Sequence, residues 1–204
     1  MVPNHYTQTQ ATDEEDSDSS KDGVFSIFEA NETVKVLHVY FSNAIESDRV
    51  RYHKLLHQLR TAKDYEYVIL YLACYGGDVY SGTQIINALQ DCPVPVHIVV
   101  DTPCFSMASV IALQGNSLVM KDETYLMFHN YSGGNYGKGH ELFTAAAHYD
   151  EFSRKGTERQ LSPFLTKAEI NRLPKDLDVY INFDDADLPA RLKRHFKARN
   201  GKFK

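Results

Sequence analysis

The stretch YVILYLACYGGDVYSGTQIINALQDCPVPVHIVVD, residues 67–101, decides the fold. Residues 67–73 form a continuous apolar run of strand length, which is typical of a strand covered on both faces in a parallel sheet. Residues 81–92 then place apolar side chains at helical spacing, and two prolines end this helix before a second buried strand at 96–101. Strand, helix and strand in this order predict a βαβ unit.

The same pattern continues on both sides of this unit. Upstream, alternating apolar residues at 34–41 predict a strand, and the apolar spacing within 43–62, including Ile45, predicts a helix. Downstream we expect, in chain order, a helix at 106–114, strands at 117–121 and 124–130, a long helix at about 140–161, and a shorter helix opened by a capping box of Thr166 and Glu169. The sequence therefore predicts the α/β class, with repeated βαβ units.

Length and charge divide the chain into one domain and two tails. With 204 residues and 43% hydrophobic content the chain can bury one core, and we place that domain at residues 23–189. Residues 1–22 carry six acidic residues against one lysine, which predicts a disordered acidic tail. Residues 190–204 carry seven Lys or Arg and no acid, and we interpret them as a basic tail. This tail is either a patch for nucleic acid or a partner, or a solvated helix that frays. Because no aromatic stacking platform accompanies the charge, nucleic-acid binding is not expected.

Several classes of protein are disfavoured by what the sequence lacks. It has no run of about 18 apolar residues and no basic, apolar leader, so we expect a cytoplasmic protein without a membrane partner. The three cysteines, Cys74, Cys92 and Cys104, form no CxxC pair, which argues against a disulfide framework and against structural zinc. We expect neither a metal nor a cofactor.

Three loops at the carboxyl ends of predicted strands carry residues suited to catalysis, because this edge of a βαβ sheet holds the functional site. Gly76 and Gly77 follow the strand at 67–73 and can turn the backbone with its N–H groups exposed. Ser106 begins a predicted helix, and His129 ends a predicted strand. Each has an ordinary alternative, since a glycine pair is often only a turn, serine is a favoured N-cap, and a strand-end histidine is often structural.

In combination and in chain order, these residues resemble the proteolytic subunit of the Clp protease, a serine peptidase family with the crotonase-like α/β fold. The resemblance covers about residues 34–186. Five motifs carry it: YGGDVYSG at 75–82 resembles the family's glycine pair, SMAS at 106–109 its Ser-Met-Gly-Ala motif, MFHNY at 127–131 its MIHQP motif, Gly133 and Gly134 its following glycines, and DVYINFDDA at 178–186 its aspartate segment. No one of these motifs is specific, but their order and spacing together are.

The resemblance implies a division of roles among these residues. Ser106 would be the nucleophile, His129 the base and Asp178 the carboxylate that orients the base. The backbone N–H groups of Gly77 and Met107 would form the oxyanion hole. The residues implied to bind substrate are Gly76, Asp78, Val79, Tyr131, Gly133 and Gly134.

The chain also departs from the family pattern near these motifs. Tyr75 stands where the family has a proline before the glycines, Asp78 where it has a small residue, and Phe105 where an alanine precedes the nucleophile. Such changes alter the shape of the substrate pocket.

Ser109 is a rival nucleophile in the same motif, but it falls one helical turn after Ser106, where its side chain would face packing.

The resemblance implies a serine endopeptidase that hydrolyses polypeptides inside a self-assembled homo-oligomer, a ring or stacked rings, with the helix of about 140–161 as a protruding handle that joins rings. A viral head-maturation protease of the Clp type is one variant of this hypothesis. An AAA+ unfoldase is the family's partner, although the N-terminus lacks the apolar loop that helps to dock it. Two alternatives remain open: a crotonase-like acyl-CoA enzyme, which needs no Ser-His-Asp set, and a catalytically silent ring or adaptor protein.

Overall fold

The computed structural model describes residues 25–30, 34–134 and 136–200. The predicted acidic tail at 1–22 and the last four residues of the predicted basic tail lie outside the described residues. The strands are β1 (Phe25–Ala30), β2 (Val36–Ser42), β3 (Tyr67–Ala73), β4 (Val96–Val100), β5 (Cys104–Phe105), β6 (Ser117–Met120), β7 (Tyr125–Phe128) and β8 (Val179–Asn182). The α-helices are α1 (His53–Arg60), α2 (Val79–Gln90), α3 (Met107–Ala112), α4 (Gly139–Leu161), α5 (Lys167–Ile170) and α6 (Leu188–Asn200).

The larger sheet has five strands in the order β1-β2-β3-β4-β6. The pairs β2–β3, β3–β4 and β4–β6 are parallel, and β1 pairs antiparallel with β2. In β3 the side chains of Val68, Leu70 and Leu72 are fully buried, while those of the opposite face are half-buried. The continuous apolar run predicted coverage on both faces, whereas within this chain only one face of β3 is fully covered.

The smaller sheet has three strands in the order β5-β7-β8. The β5–β7 pair is parallel, and β7 and β8 are antiparallel. The sequence predicted the strands at 117–121 and 124–130 as consecutive members of one repeated pattern, but they separate: β6 joins the large sheet and β7 the small one. The chain first passes from the large sheet to the small one between β4 and β5, directly before the serine motif at 106–109.

The helix predicted within 43–62 is shorter than expected. The α-helix begins at His53, after a single 3-10 turn at Arg49–Tyr52. Ile45 does not belong to it, because its N–H donates to the Gly76 carbonyl at 2.7 Å and its carbonyl accepts the Asp78 N–H at 2.8 Å. Backbone groups committed to this bridge are not available for a helix.

The basic tail predicted at 190–204 needs a correction over its described part. Residues up to 200 belong to α6, which packs on the domain with Leu188, Arg191 and His195 buried. These positions recur at i, i+3 and i+7 and so form one helix face. The Arg191 guanidinium donates two hydrogen bonds of 2.8 Å to the Glu169 carboxylate, which also completes the predicted capping box of α5. The basic residues lie around an anchored helix, not on a fraying one.

Helix α4 projects from the domain. It runs for 23 residues, and Leu161 at its end is the one residue of the helix that is buried. Phe143 is 78% exposed and Phe152 is 58% exposed, which is unusual for large apolar side chains. Core packing of this helix within the chain is thereby excluded, and the predicted α/β fold with a protruding helix is confirmed. Within the described residues, no helix combines the length and apolar character that a membrane span requires.

Candidate active site

The three residues of the predicted triad meet at one edge of the small sheet. Phe128 pairs with Val179 in the antiparallel β7–β8 ladder. The next residue outward on one strand is His129, and on the other it is Asp178, so the two face each other across the sheet edge. Ser106 directly follows β5, which runs parallel to β7 and therefore ends at the same edge. Strand register thus brings together three residues that lie up to 72 positions apart in sequence.

Ser106 occupies a strained turn between β5 and α3. Its φ of 56° and ψ of −125° are values that non-glycine residues rarely adopt and that cost about 1–3 kcal/mol. Its N–H donates to the Met127 carbonyl at 2.8 Å, which fixes the turn to β7. Although Ser106 stands at the N-cap position, its side chain makes no capping hydrogen bond. The N-cap interpretation is therefore wrong: Ser106 stands on a sharp strand-to-helix turn with a hydroxyl that does not cap the helix.

Ser109 has a structural role. It is fully buried, its hydroxyl donates to the Cys104 carbonyl at 2.7 Å, and it accepts the Met127 N–H at 3.2 Å. The side chain thereby links α3 to both β5 and β7. A hydroxyl with both functions occupied and no access to solvent is not a candidate for the nucleophile.

The glycine pair forms a turn that only glycine fits. Gly76 has φ +89°, and a Cβ there would lie 2.5 Å from the Phe105 carbonyl oxygen and 2.9 Å from the Ser106 Cβ. Gly77 has φ +139°, and a Cβ there would overlap the Ile45 carbonyl. Both positions combine a left-handed backbone with a close approach to another segment. The turn is consequently packed directly against Ser106.

Two backbone N–H groups beside Ser106 are unpaired. Across the part of the chain that the structure describes, the N–H groups of Gly77 and Met107 have no hydrogen-bond acceptor. The Gly76 N–H, by contrast, donates to the Cys74 sulfur at 3.4 Å. A Cβ on Gly76 would lie 3.2 Å from the Met107 nitrogen, so the glycine turn and the start of α3 are in contact. Free donors on both sides of a hydroxyl are what an oxyanion requires.

The residues predicted to bind substrate differ in what they do. The Asp78 carboxylate accepts the Ser81 N–H at 2.8 Å, so its side chain caps α2. Val79 is 47% exposed and Tyr131 is 38% exposed, and both border the edge that holds the triad. Gly133 and Gly134 are exposed, and nothing lies within 4 Å of a Cβ built on either. Open space therefore lies beside Gly133 and Gly134.

The triad is assembled by backbone register but is not hydrogen-bonded. No side-chain hydrogen bond joins Ser106, His129 and Asp178, each of which is described and half-buried. Asp178 is anchored through its backbone, because Arg172 donates to its carbonyl at 3.3 Å. Catalytic hydrogen bonds are commonly long before substrate binds and tighten in the complex.

The cysteines near the turn do not compete as nucleophiles. Burial raises the pKa of the Cys74 thiol to about 11 and that of Cys104 to about 12. Both therefore remain protonated at neutral pH, and a thiol is a poor nucleophile compared with its thiolate.

Sequence reasoning missed the residues that support the glycine turn. Ile45 bonds to both sides of Gly77 through its backbone, and Cys74 accepts the Gly76 N–H. Ile45 fitted the spacing of the following helix and was assigned to it. The available signal was Asn43, which has φ 70° and separates β2 from the bridge, since asparagine is among the residues that tolerate a left-handed backbone.

The comparison with protein families agrees with this geometry. The mixed α/β core with a projecting helix is a ClpP-like α/β fold, and a family model described as Clp protease matches residues 24–184. The match covers most of the chain and includes both sheets and α4. The chain belongs to the Clp protease family, a family of peptidases. No curated protein sequence is close enough to the chain to count as a match.

Proposed function

We propose that the protein is a serine endopeptidase with Ser106 as nucleophile, His129 as general base and Asp178 as the group that orients His129. The observation that carries the proposal is the Ser106 turn: a strained, uncapped serine at the edge where His129 and Asp178 face each other. Membership of a peptidase family supports the same reaction class.

The reaction would proceed in two halves. The Ser106 hydroxyl attacks the carbonyl carbon of the scissile peptide bond while its proton passes to His129. The C–N bond then breaks, and His129 returns the proton to the leaving amine. Water, deprotonated by His129, attacks the acyl-enzyme ester and releases the new carboxylate and free Ser106. Asp178 holds the imidazole in the tautomer that both halves need.

The unpaired N–H groups of Gly77 and Met107 would stabilise the negative oxygen of each tetrahedral intermediate. Each such donor contributes about 3 kcal/mol to the transition state, because it is already oriented when the charge develops. The packing of Gly76 against Ser106 keeps one donor on the glycine turn and the other on α3 at a fixed separation.

The polypeptide substrate would lie in extended form between two segments. One follows Gly77 and contains Val79, and the other follows His129 and contains Tyr131, Gly133 and Gly134. The exposed segment after His129 can pair with an extended chain through its backbone, as in other cases of strand addition, while Val79, the first residue of α2, presents an exposed side chain. The absence of side chains at Gly133 and Gly134 leaves room for that chain.

We also propose that the active form is a homo-oligomer in which α4 contacts a second copy. The support is the exposure of Phe143 and Phe152 on a helix that leaves its own domain. Large apolar groups in such an arrangement are typical of an interface between copies.

The test is peptide hydrolysis by matched variants. Ser106→Ala should lower turnover at least about 10³-fold, because only binding and the oxyanion hole would then remain. Ser47→Ala, at an exposed serine far from the triad in sequence, is the control and should keep wild-type turnover. Hydrolysis that persists in Ser106→Ala would overturn the proposal. A wild-type chain without peptidase activity would instead favour the acyl-CoA enzyme or the silent ring.

A further inference from the structure

Four aromatic side chains form a continuous ladder beside the nucleophile. They are Tyr75, Phe105, Tyr125 and Tyr180, here called the aromatic ladder. Their ring centroids are separated in turn by 5.4 Å, 5.5 Å and 6.0 Å. The interplanar angles are 28°, 34° and 50°, so successive rings are inclined to one another.

Tyr125 and Tyr180 of the ladder lie on the same sheet face as His129 and Asp178. On β7, Leu126 and Phe128 are buried, which places Tyr125 and His129 on the opposite face. On β8, Val179 and Ile181 are buried, so Tyr180 shares its face with Asp178. Tyr180 and Asp178 are two residues apart on β8, and Tyr125 and His129 are four apart on β7, so at a rise of about 3.3 Å per residue the separations along the strands are about 7 Å and about 13 Å.

The ladder is also joined to both halves of the oxyanion site. Phe105 directly precedes Ser106, and Tyr75 directly precedes Gly76. The stacked pair of Tyr75 and Phe105 therefore spans the contact between the glycine turn and the serine turn. These two positions are the ones at which the sequence departs from the proline and alanine of the resembled family.

The rings at the two ends of the ladder are open to solvent. Tyr75 is 65% exposed and Tyr180 is 52% exposed. The ladder contains no charged side chain, so its chemistry suits an aromatic or long apolar group. A polypeptide whose scissile bond reaches Ser106 carries neighbouring side chains past the ladder, because successive side chains of an extended chain are only about 3.3 Å apart along it.

We propose that the aromatic ladder is a specificity subsite that binds an aromatic side chain of the substrate polypeptide a few residues from the scissile bond. The proposal rests on the proposed peptidase function. Tyr75 and Phe105 form the part nearest to Ser106, and Tyr125 and Tyr180 extend it along the sheet. The occupant is the substrate and not a second subunit, because the ladder adjoins the nucleophile and both oxyanion donors.

The test uses quenched fluorescent peptides of equal length with one phenylalanine moved through positions on both sides of the cleavage site in an alanine-rich background. For the wild-type chain, one or two positions should raise kcat/KM by about threefold to tenfold, mainly through KM, as expected for one added aromatic contact. Tyr75→Ala and Tyr180→Ala should remove most of that preference, and Tyr75→Phe should retain it.

Controls separate this proposal from the function on which it rests. Tyr40→Ala, which removes a 39%-exposed aromatic ring from the large sheet, should keep the preference. Each sample is titrated with a fluorophosphonate, so that rates are expressed per reactive serine.

A wild-type chain that does not react with the fluorophosphonate would contradict the peptidase proposal itself. A reactive chain whose phenylalanine preference survives both Tyr75→Ala and Tyr180→Ala would defeat the ladder alone. A change in sedimenting mass without a change in preference would show that the ladder is a subunit contact.

Discussion

Ser106 and Gly76 pack against each other and fix each other's position. Each of them has a backbone conformation that most residues avoid. Ser106 has a left-handed φ of 56°, and Gly76 approaches its Cβ so closely that no side chain fits between them. Strain of this kind persists only where surrounding contacts fix it, here the bonds from Ser106 and Ser109 to Met127.

Gly76→Ala should therefore destabilise the fold and disable the site together. The added Cβ meets the Phe105 carbonyl and Ser106, and alanine resists the φ of +89°, so we expect a loss of about 2–4 kcal/mol in the free energy of unfolding. Turnover should fall at least about tenfold, since the oxyanion donors move apart. Urea unfolding and peptide hydrolysis measure the two effects.

Gly156→Ala, in α4 with nothing within 4 Å of the new Cβ, is the control and should be neutral or slightly stabilising. Equal behaviour of the two variants would contradict the account of the turn.

At the scale of elements, the sequence predicted those strands and helices whose positions follow from a local pattern of apolar residues. The strands β3 and β4 and the helices α2 and α4 were located to within two residues, because each is a continuous apolar run or a run at helical spacing. The short strands β5 and β8 were not recognised as strands, since their pairing with β7 is long-range and adds no local periodicity. Helix α6 was mistaken for a tail because its charge obscured its buried face.

The candidate site likewise has one part that the sequence could predict and another that depends on long-range strand pairing. Its residues could be located by their resemblance to a family, and the exposed glycines and the serine turn fit that placement. What the sequence could not provide is the register that sets His129 opposite Asp178, because it depends on pairing between segments about fifty residues apart. The aromatic ladder depends on the same register, so Tyr125 and Tyr180 carried no signal in sequence.

Helix α6 carries a buried histidine whose titration should make the stability of the protein depend on pH. His195 is fully buried between Phe164 and Phe196, its Nε2 donates to the Leu113 carbonyl at 2.9 Å, and its Nδ1 has no partner within the described part of the chain. Burial lowers the pKa of His195 from 6.5 to about 4, with a smaller effect of the nearby Arg199. The folded state thus favours the neutral imidazole. Its contribution is complete above pH 6.5 and is lost as the pH falls from 6.5 towards 4.

Lowering the pH from 7 to 5 should consequently reduce the free energy of unfolding by about 2 kcal/mol through His195, since one pKa unit corresponds to about 1.4 kcal/mol. His195→Gln, which keeps a donor near Leu113 but does not titrate, should lose most of this dependence. Urea unfolding at the two pH values checks the result. The Glu169 carboxylate, whose pKa the Arg191 hydrogen bonds lower to about 2, adds its own loss only below about pH 4.5 and does not interfere. An unchanged pH dependence in His195→Gln would contradict this account.

At the scale of the whole molecule, α4 is a long helix whose contacts with its own chain, such as that of Tyr149 with Tyr80 at 3.3 Å, leave large apolar side chains exposed. Phe143 and Phe152 remain exposed, and the sheets leave the helix uncovered. We propose that a second copy of the chain covers this face.

Phe143→Asp combined with Phe152→Asp should therefore lower the sedimenting mass at micromolar concentration, because burying two carboxylates in an apolar interface is unfavourable. Lys155→Ala on the same helix removes only an exposed ion pair with Glu151 and should leave the mass unchanged. A wild-type chain that sediments as a monomer would contradict the assembly, and so would an aspartate variant of unchanged mass.

The central claim, that Ser106 is the nucleophile, is tested most directly by locating a covalent label. The wild-type chain is treated with a fluorophosphonate, digested, and mapped by mass spectrometry. The account predicts one phosphonylated residue, Ser106, because its hydroxyl is uncapped on a strained turn beside two free N–H groups, and no adduct on the buried Ser109. An adduct on Ser109, or a chain that carries no adduct while it cleaves peptides, would contradict it.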